Sequence, residues 1–496
     1  MKQLVKGLGL AALVALPAAA QDQPRARVAQ GELSGMRERG TNAFLNVPFA
    51  AAPVGDLRWK APAPPPAWSG ARDASKPGPA CMQPDAKPLG PWSMEYLIGP
   101  PYSEDCLNLN VWTTAKPGAG QAVVLFVPGG GFNAGGANVP VYNGANMAKS
   151  GIVVVTMNYR LTAAGFMTHP ELTREAGHSG NYGLMDVIAA LSWIKANIAA
   201  FGGDPAKVTV MGQSAGAGAI NALLRSPEAA GLFRAAILNS GVRQRTALQT
   251  SAERETAGVE WAAAKGATTL AQMRALPSSA LVPTGNDFRF RPTMDSHVVP
   301  SANAPILHDV PIMTGWNAGE GTTPQGKLMN QPISRAEFEA WAGADAKDLL
   351  ALYPSGDDAT SAMHAAGHDS LMMGTVAWAI ARGGKAPLYL FDFEHVMPGA
   401  QALTHGSYHT SELPYVFDTL HTLKRPWTID EFVAGVMQTY FVRFIMTGDP
   451  NNPHLPHWSA FDPAKNEVMA ISNSTGMRPV TAPAKAAYFR RVNAKP

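Results

Sequence analysis

The residues best suited to covalent chemistry lie in the run Val208–Ile220, VTVMGQSAGAGAI. A β-branched apolar strand leads into Gly212-Gln213-Ser214-Ala215-Gly216, and a helix-forming stretch follows to Leu224. Ser214 is thereby expected on a tight strand-to-helix turn, where the flanking glycines leave room for close backbone approach. Such a turn lifts the hydroxyl above the sheet edge, at a helix N-terminus where developing negative charge is favoured. By itself the five-residue pattern also fits an ordinary glycine-rich turn. A serine hydroxyl is a weak nucleophile at neutral pH, so the nucleophilic reading requires a base, an acid to orient the base and donors for an oxyanion.

Gly129-Gly130-Gly131-Phe132 directly follows the apolar run Val123–Val127 and supplies candidate donors. Three glycines let backbone N–H groups turn toward a ligand, and each well-aimed oxyanion donor contributes about 3–4 kcal/mol. A phosphate-cradling loop is the rival reading, but no Gly-Lys-Ser/Thr follows. For the base there are 12 histidines from which to choose. His364 and His368 have the i, i+4 spacing that could share a metal, yet no third ligand is suggested, so they read as a helix-surface pair. His454 and His457 lie among prolines and read as loop residues.

Six segments together resemble the type B carboxylesterases, in order and from about residue 25 to the C-terminus. They are Glu104–Val111, Gly129–Phe132, Asn158-Tyr159-Arg160, Phe201–Pro205, Gly212–Gly216 and Phe441–Asn451. The resemblance implies the α/β-hydrolase fold, with a central, mostly parallel sheet flanked by helices and loop insertions around a deep active-site pocket. It implies a serine carboxylic-ester hydrolase acting through an acyl-enzyme, with a small-molecule ester as substrate and no cofactor or metal. Residue by residue, Ser214 matches the nucleophile and Glu320, in Gly315–Gly321, the acid; Asp295 is the rival acid and reads as a turn residue. His409, in Gly406–Phe417, matches the base, with His405 the neighbouring decoy. Backbone N–H groups of Gly130, Gly131 and Ala215 match the oxyanion hole, and Ser240 a serine that supports the glutamate. Arg58 with Glu104, and Arg160 with Asp204, resemble structural ion pairs. Two positions depart from the family pattern. Pro128 stands where a His or aromatic residue is common, which affects loop geometry alone. Gln213 replaces a frequent glutamate beside the serine, which weakens any case for a cationic substrate.

The elements that must position these residues are legible as apolar runs. Val123–Val127, Ile152–Thr156, Val208–Met211, Ala235–Leu238, Val310–Thr314 and Leu388–Phe391 predict strands covered on both faces. Between two of them, apolar residues recur at helical spacing over Asp186–Phe201 and stop at Gly202-Gly203. Alternating strands and helices predict an α/β architecture. Tyr102, Phe132, Trp316 and Phe417 flank the catalytic loops and are candidate pocket walls.

Composition narrows the function classes. Hydrophobic residues make up 46% of the 496-residue chain, enough apolar surface to exclude intrinsic disorder. The formal charge of +3 includes Lys2 and Lys6, and no basic run or acidic tail occurs, which argues against nucleic acid as a partner. Lys2 and Lys6, the apolar Leu8–Leu16 and the small residues before Gln21 form a signal-peptide pattern over residues 1–20. The resemblance implies that residues 21–496 form one catalytic domain, which the leader is expected to export to the periplasm or beyond. No later run of 18 apolar residues predicts a membrane span. Cys81 and Cys106, the only cysteines, are expected to form a disulfide closing a loop of roughly 25 residues. No amphipathic lid segment stands out between them, which favours an esterase over an interfacial lipase. A catalytically dead adhesion protein is disfavoured because all three triad positions are kept. The three-glycine loop, which in the family it resembles leaves room near the oxyanion, implies short or medium acyl esters of bulky alcohols as substrates.

Overall fold

The computed structural model describes residues 23–243, 248–284, 289–300, 305–320, 331–399, 402–423 and 428–494. The leader expected at residues 1–20 lies outside them. All six apolar runs become strands of one eleven-stranded sheet. In chain order the strands are β1 (Met36–Glu38), β2 (Thr41–Pro48), β3 (Asn108–Thr113), β4 (Gln121–Val127), β5 (Val153–Met157), β6 (Gly203–Gln213), β7 (Ala235–Asn239), β8 (Ile312–Asn317), β9 (Leu388–Phe393), β10 (Glu467–Ile471) and β11 (Gly476–Pro479). Across the sheet they run β11-β10-β9-β8-β7-β6-β4-β5-β3-β2-β1. From β10 to β5 every pairing is parallel, and antiparallel strands close both ends.

The central strands are apolar throughout because both faces are covered. Along β4, Val123, Leu125 and Val127 enter one core cluster while Val124 and Phe126 enter the other. Helices α1 (Tyr182–Asn197) and α2 (Ala215–Leu223) pack on the first face. Helix α3 (Thr360–Ala381) joins the same cluster, whereas α4 (Thr428–Thr447) covers the opposite face through Val433, Met437, Phe441 and Phe444. Among the described residues one stretch, Tyr182–Phe201, is apolar and long enough to cross a bilayer, and it is mostly buried as the α1 core helix.

Cys81 and Cys106 are joined, their Cα atoms 5.0 Å apart. Arg58 pairs with Glu104 as expected, through Nε–Oε1 and Nη2–Oε2 contacts of 2.8 and 2.6 Å. Arg160 does not pair with Asp204. Its guanidinium grips Asp186 on α1 at 2.7 Å, with both side chains buried, while Asp204 caps its own turn through Ala206 N–H and meets Lys207. The buried cation takes the carboxylate that faces it across the core, because an unpaired buried charge is costly.

Candidate active site

Strand β6 ends at Gln213, and α2 begins at Ala215. Ser214 between them has φ 55° and ψ −119°, a conformation that non-glycine residues adopt only when their surroundings hold them there. Its N–H donates to Asn239 O on β7 at 2.8 Å, and its carbonyl accepts from Gly218 N–H at 2.9 Å. The flanking glycines are required by contact: a Cβ on Gly212 would fall 2.5 Å from the Gly216 carbonyl carbon, and one on Gly216 would fall 2.0 Å from Val127 O.

The glycine loop leaving β4 lies directly against this turn, since a Cβ on Gly129 would sit 3.0 Å from Ser214 Cβ. Gly130 and Gly131 have φ of 113° and 64°, and Gly130 O closes the loop by accepting from Asn133 and Ala134 N–H. Among the described residues the N–H groups of Gly130, Gly131 and Ala215 donate to no protein acceptor. The loop is also tied to the disulfide region, where the Gln83 side chain accepts from Gly135 N–H at 2.9 Å and donates to Gly135 O at 3.0 Å.

Glu320 follows β8, where its Oε1 accepts from Asn317 N–H at 2.9 Å. Its Oε2 lies 2.5 Å from His409 Nδ1. The loops carrying the two residues are joined by Gly319 N–H donating to Ser407 O at 2.9 Å. Burial pulls the His409 pKa down, but the Glu320 carboxylate, with Glu412 beyond it, outweighs this and leaves it raised. The other ring nitrogen, Nε2, lies 3.1 Å from Gln213 Nε2, and Trp92 Nε1 donates to the His409 carbonyl at 3.1 Å. Fully buried Glu412 accepts from Asn317 Nδ2 at 2.7 Å, and burial above all pushes its pKa up to about 7.

Ser214, Glu320 and His409 line one cavity of about 850 Å³. Phe132 and Trp316 wall it as expected, but Tyr102 and Phe417 do not. Tyr102 bonds to Ile98 O beside the disulfide, and Phe417 is wholly buried against Phe126 because the helix turn after the histidine loop folds into the core. Ser240 lines the cavity with its N–H bonded to Gly315 O, while its buried hydroxyl has no partner among the described residues and makes no bond to Glu320. Asp295 is a turn residue that accepts from His297 and Val299 N–H. His405 is buried beside Tyr408 and lines a separate cavity of about 480 Å³.

His364 and His368 are not a surface pair. They face the Ser214 cavity from α3, and His368 Nε2 lies 2.9 Å from buried Asp392. Their spacing was visible in the sequence, but the packing of α3 over the cavity was not. Trp92, Arg243, Arg291 and Glu412 also carried no local signal. Among the described residues no group of three His, Cys, Asp or Glu side chains could hold a metal ion.

A largely parallel sheet with helices on both faces, turning into a helix at a serine of positive φ, defines an α/β-hydrolase. The chain belongs to the carboxylesterase family, whose model matches residues 22–489. It is a carboxylic ester hydrolase. It is 35% identical to fumonisin B1 esterase of Sphingopyxis macrogoltabida, over 93% of this chain and 89% of that protein. It is 32% identical to para-nitrobenzyl esterase of Bacillus subtilis, over 89% and 94%. A solved PNB esterase superposes with a TM-score of 0.79 at 28% identity, covering 96% of this chain and all of the other.

Proposed function

We propose that the chain hydrolyses carboxylic esters through an acyl-enzyme on Ser214, with His409 as general base and then acid. Glu320 holds the imidazole and stabilises its positive form. The observation that carries this reading is the strained Ser214 turn in one cavity with an imidazole whose Nδ1 lies 2.5 Å from a carboxylate. As the serine oxygen attacks the ester carbonyl, Nε2 takes its proton and the unpaired amides of Gly130, Gly131 and Ala215 receive the oxyanion. The imidazolium then protonates the departing alcohol. A water, deprotonated by the same nitrogen, releases the acid. Catalytic hydrogen bonds tighten only once substrate is present, so the Gln213 contact at Nε2 belongs to the resting site.

The relatives' names point to different esters, which makes the pocket wall rather than the triad the determinant of substrate. Short or medium acyl esters of bulky alcohols are the proposed class. Residues 1–20 act as an export leader and residues 21–496 as one catalytic domain, working in the periplasm or outside the cell; the disulfide supports an oxidising compartment. A panel of acyl lengths tested with wild-type protein and Ser214→Ala decides the matter. The variant is expected to lose about 10⁴-fold or more in kcat, and wild type to peak on short or medium chains. Wild-type turnover by the variant, or a maximum on long acyl chains, would contradict this reading.

A further inference from the structure

Charge on the cavity wall is one-sided. Among the described residues Glu320 is its one carboxylate and is already held by His409, while Arg243 and Arg291 both line the cavity. Several buried or half-buried arginines elsewhere have carboxylate partners, as in Arg58–Glu104, Arg160–Asp186, Arg274–Glu175 and Arg382–Asp309, while Arg225, Arg234 and Arg254 are held by amide or backbone oxygens. Arg289, two positions before Arg291, takes Glu260 at 2.8 Å. Arg243 and Arg291 are both exposed side chains, and neither has an ion pair or hydrogen bond among the described residues.

Both guanidinium groups spring from anchored backbone. The carbonyl of Val242 accepts from Thr375 Oγ1 at 2.6 Å, and that hydroxyl accepts from cavity-lining Trp316 Nε1 at 2.6 Å. Arg291 is fixed on one side by Phe290, buried against Trp261, and on the other by the reciprocal bonds of Thr293 with Asn181 at 3.0 and 2.7 Å. His368 adds a ring whose Nε2 is taken by Asp392 and whose buried Nδ1 has no partner among the described residues. At position 213 a neutral amide stands beside Ser214, so no second anion competes.

We infer that Arg243 and Arg291 form an anion subsite in the catalytic cavity, selecting esters that carry a free carboxylate alongside the scissile ester. The inference rests on the acyl-enzyme reading for the position of the reacting carbonyl. A guanidinium fork matches a carboxylate in shape as well as charge. A neutral ester of the same size leaves that fork to water.

Matched substrate pairs test the subsite on either side of the ester: monophenyl glutarate against phenyl valerate, and 4-acetoxybenzoate against 4-methylphenyl acetate. For at least one pair, kcat/KM is expected to favour the anion about ten-fold, an advantage that shrinks as salt rises. In the Arg243→Gln/Arg291→Gln variant the ratio is expected to fall toward one, and in Arg243→Glu/Arg291→Glu to invert. Equal rates on both members of both pairs, or an equal loss on anionic and neutral esters in the variants, would overturn the subsite. Glutarate binding to Ser214→Ala, measured by titration calorimetry, isolates the subsite from the chemistry. It is expected to weaken with each arginine removed, and unchanged binding would overturn the inference. Neutral-ester hydrolysis that persists in Ser214→Ala would strike the acyl-enzyme reading instead.

Discussion

His409 Nε2 lies 3.1 Å from the side-chain nitrogen of Gln213, while its Nδ1 lies 2.5 Å from Glu320. Two nitrogens at that distance bond only if one accepts, and an amide nitrogen cannot. A neutral imidazole with its proton on Nδ1 toward Glu320 makes the ring nitrogen the acceptor of this contact. This is the tautomer a general base needs.

As the proposed base, His409 works only when neutral, and its pKa is raised by Glu320 against the pull of burial. Wild-type kcat/KM is therefore expected to fall with acid through a midpoint above the ordinary histidine value of about 6.5. Gln213→Glu places a second carboxylate at Nε2 and is expected to move that midpoint up by about one further unit. A pH–rate series on both proteins checks this, and coincident acid limbs would contradict it.

Gly130→Ala probes the proposed oxyanion loop. The new Cβ would meet Ala134 O at 2.0 Å with φ at 113°, so the loop must shift and its N–H groups lose aim. A loss of about 10²–10³-fold in kcat is expected, with a circular dichroism spectrum like that of wild type. Near-normal kcat would remove the loop from the oxyanion hole.

Much of this site was readable because Ser214, Glu320 and His409 each lie in a contiguous segment whose residue types declare a turn or loop. The six central strands were readable because burial on both faces makes them continuously apolar. Strand β3 was not, since Asn108 and Asn110 interrupt the apolar run. Their buried amides are satisfied by distant partners, Pro79 O at 3.1 Å and Asn138 Oδ1 at 2.8 Å, which local sequence cannot reveal. The same holds for the choice of Asp186 over Asp204 by Arg160, and for the turn of His368 toward the cavity. Each depends on how separate elements pack.

Glu412 carries a pH-dependent stability cost. Its folded pKa, near 7, exceeds the ordinary carboxyl value of 4.5, so the native state favours the neutral form. Stability is thus intact below the ordinary value and lost as pH rises through about 7, by an amount on the order of 3 kcal/mol. Glu412→Gln removes that loss and keeps an acceptor for Asn317. Melting curves are expected to coincide near pH 5 and to favour the variant near about pH 8. The acid limb of kcat/KM should also move down, because Glu412 helps raise His409. A variant less stable than wild type near pH 8 would contradict this account.

Removal of the disulfide should affect chemistry as well as stability. Cys81→Ser/Cys106→Ser is expected to lose about 3 kcal/mol. Because Gln83, next but one to Cys81, is bonded to Gly135 of the glycine loop, kcat is expected to fall more than KM changes. Thermal melts and steady-state kinetics check the two parts, and a lower Tm with unchanged kcat would refute the link to the loop.

The most direct test of the central claim is mass spectrometry after inactivation by a diethyl phosphoryl ester. A single adduct on Ser214 is expected, formed in step with loss of esterase activity and absent from Ser214→Ala. Inactivation with the adduct on another residue, or full activity with Ser214 modified, would contradict it.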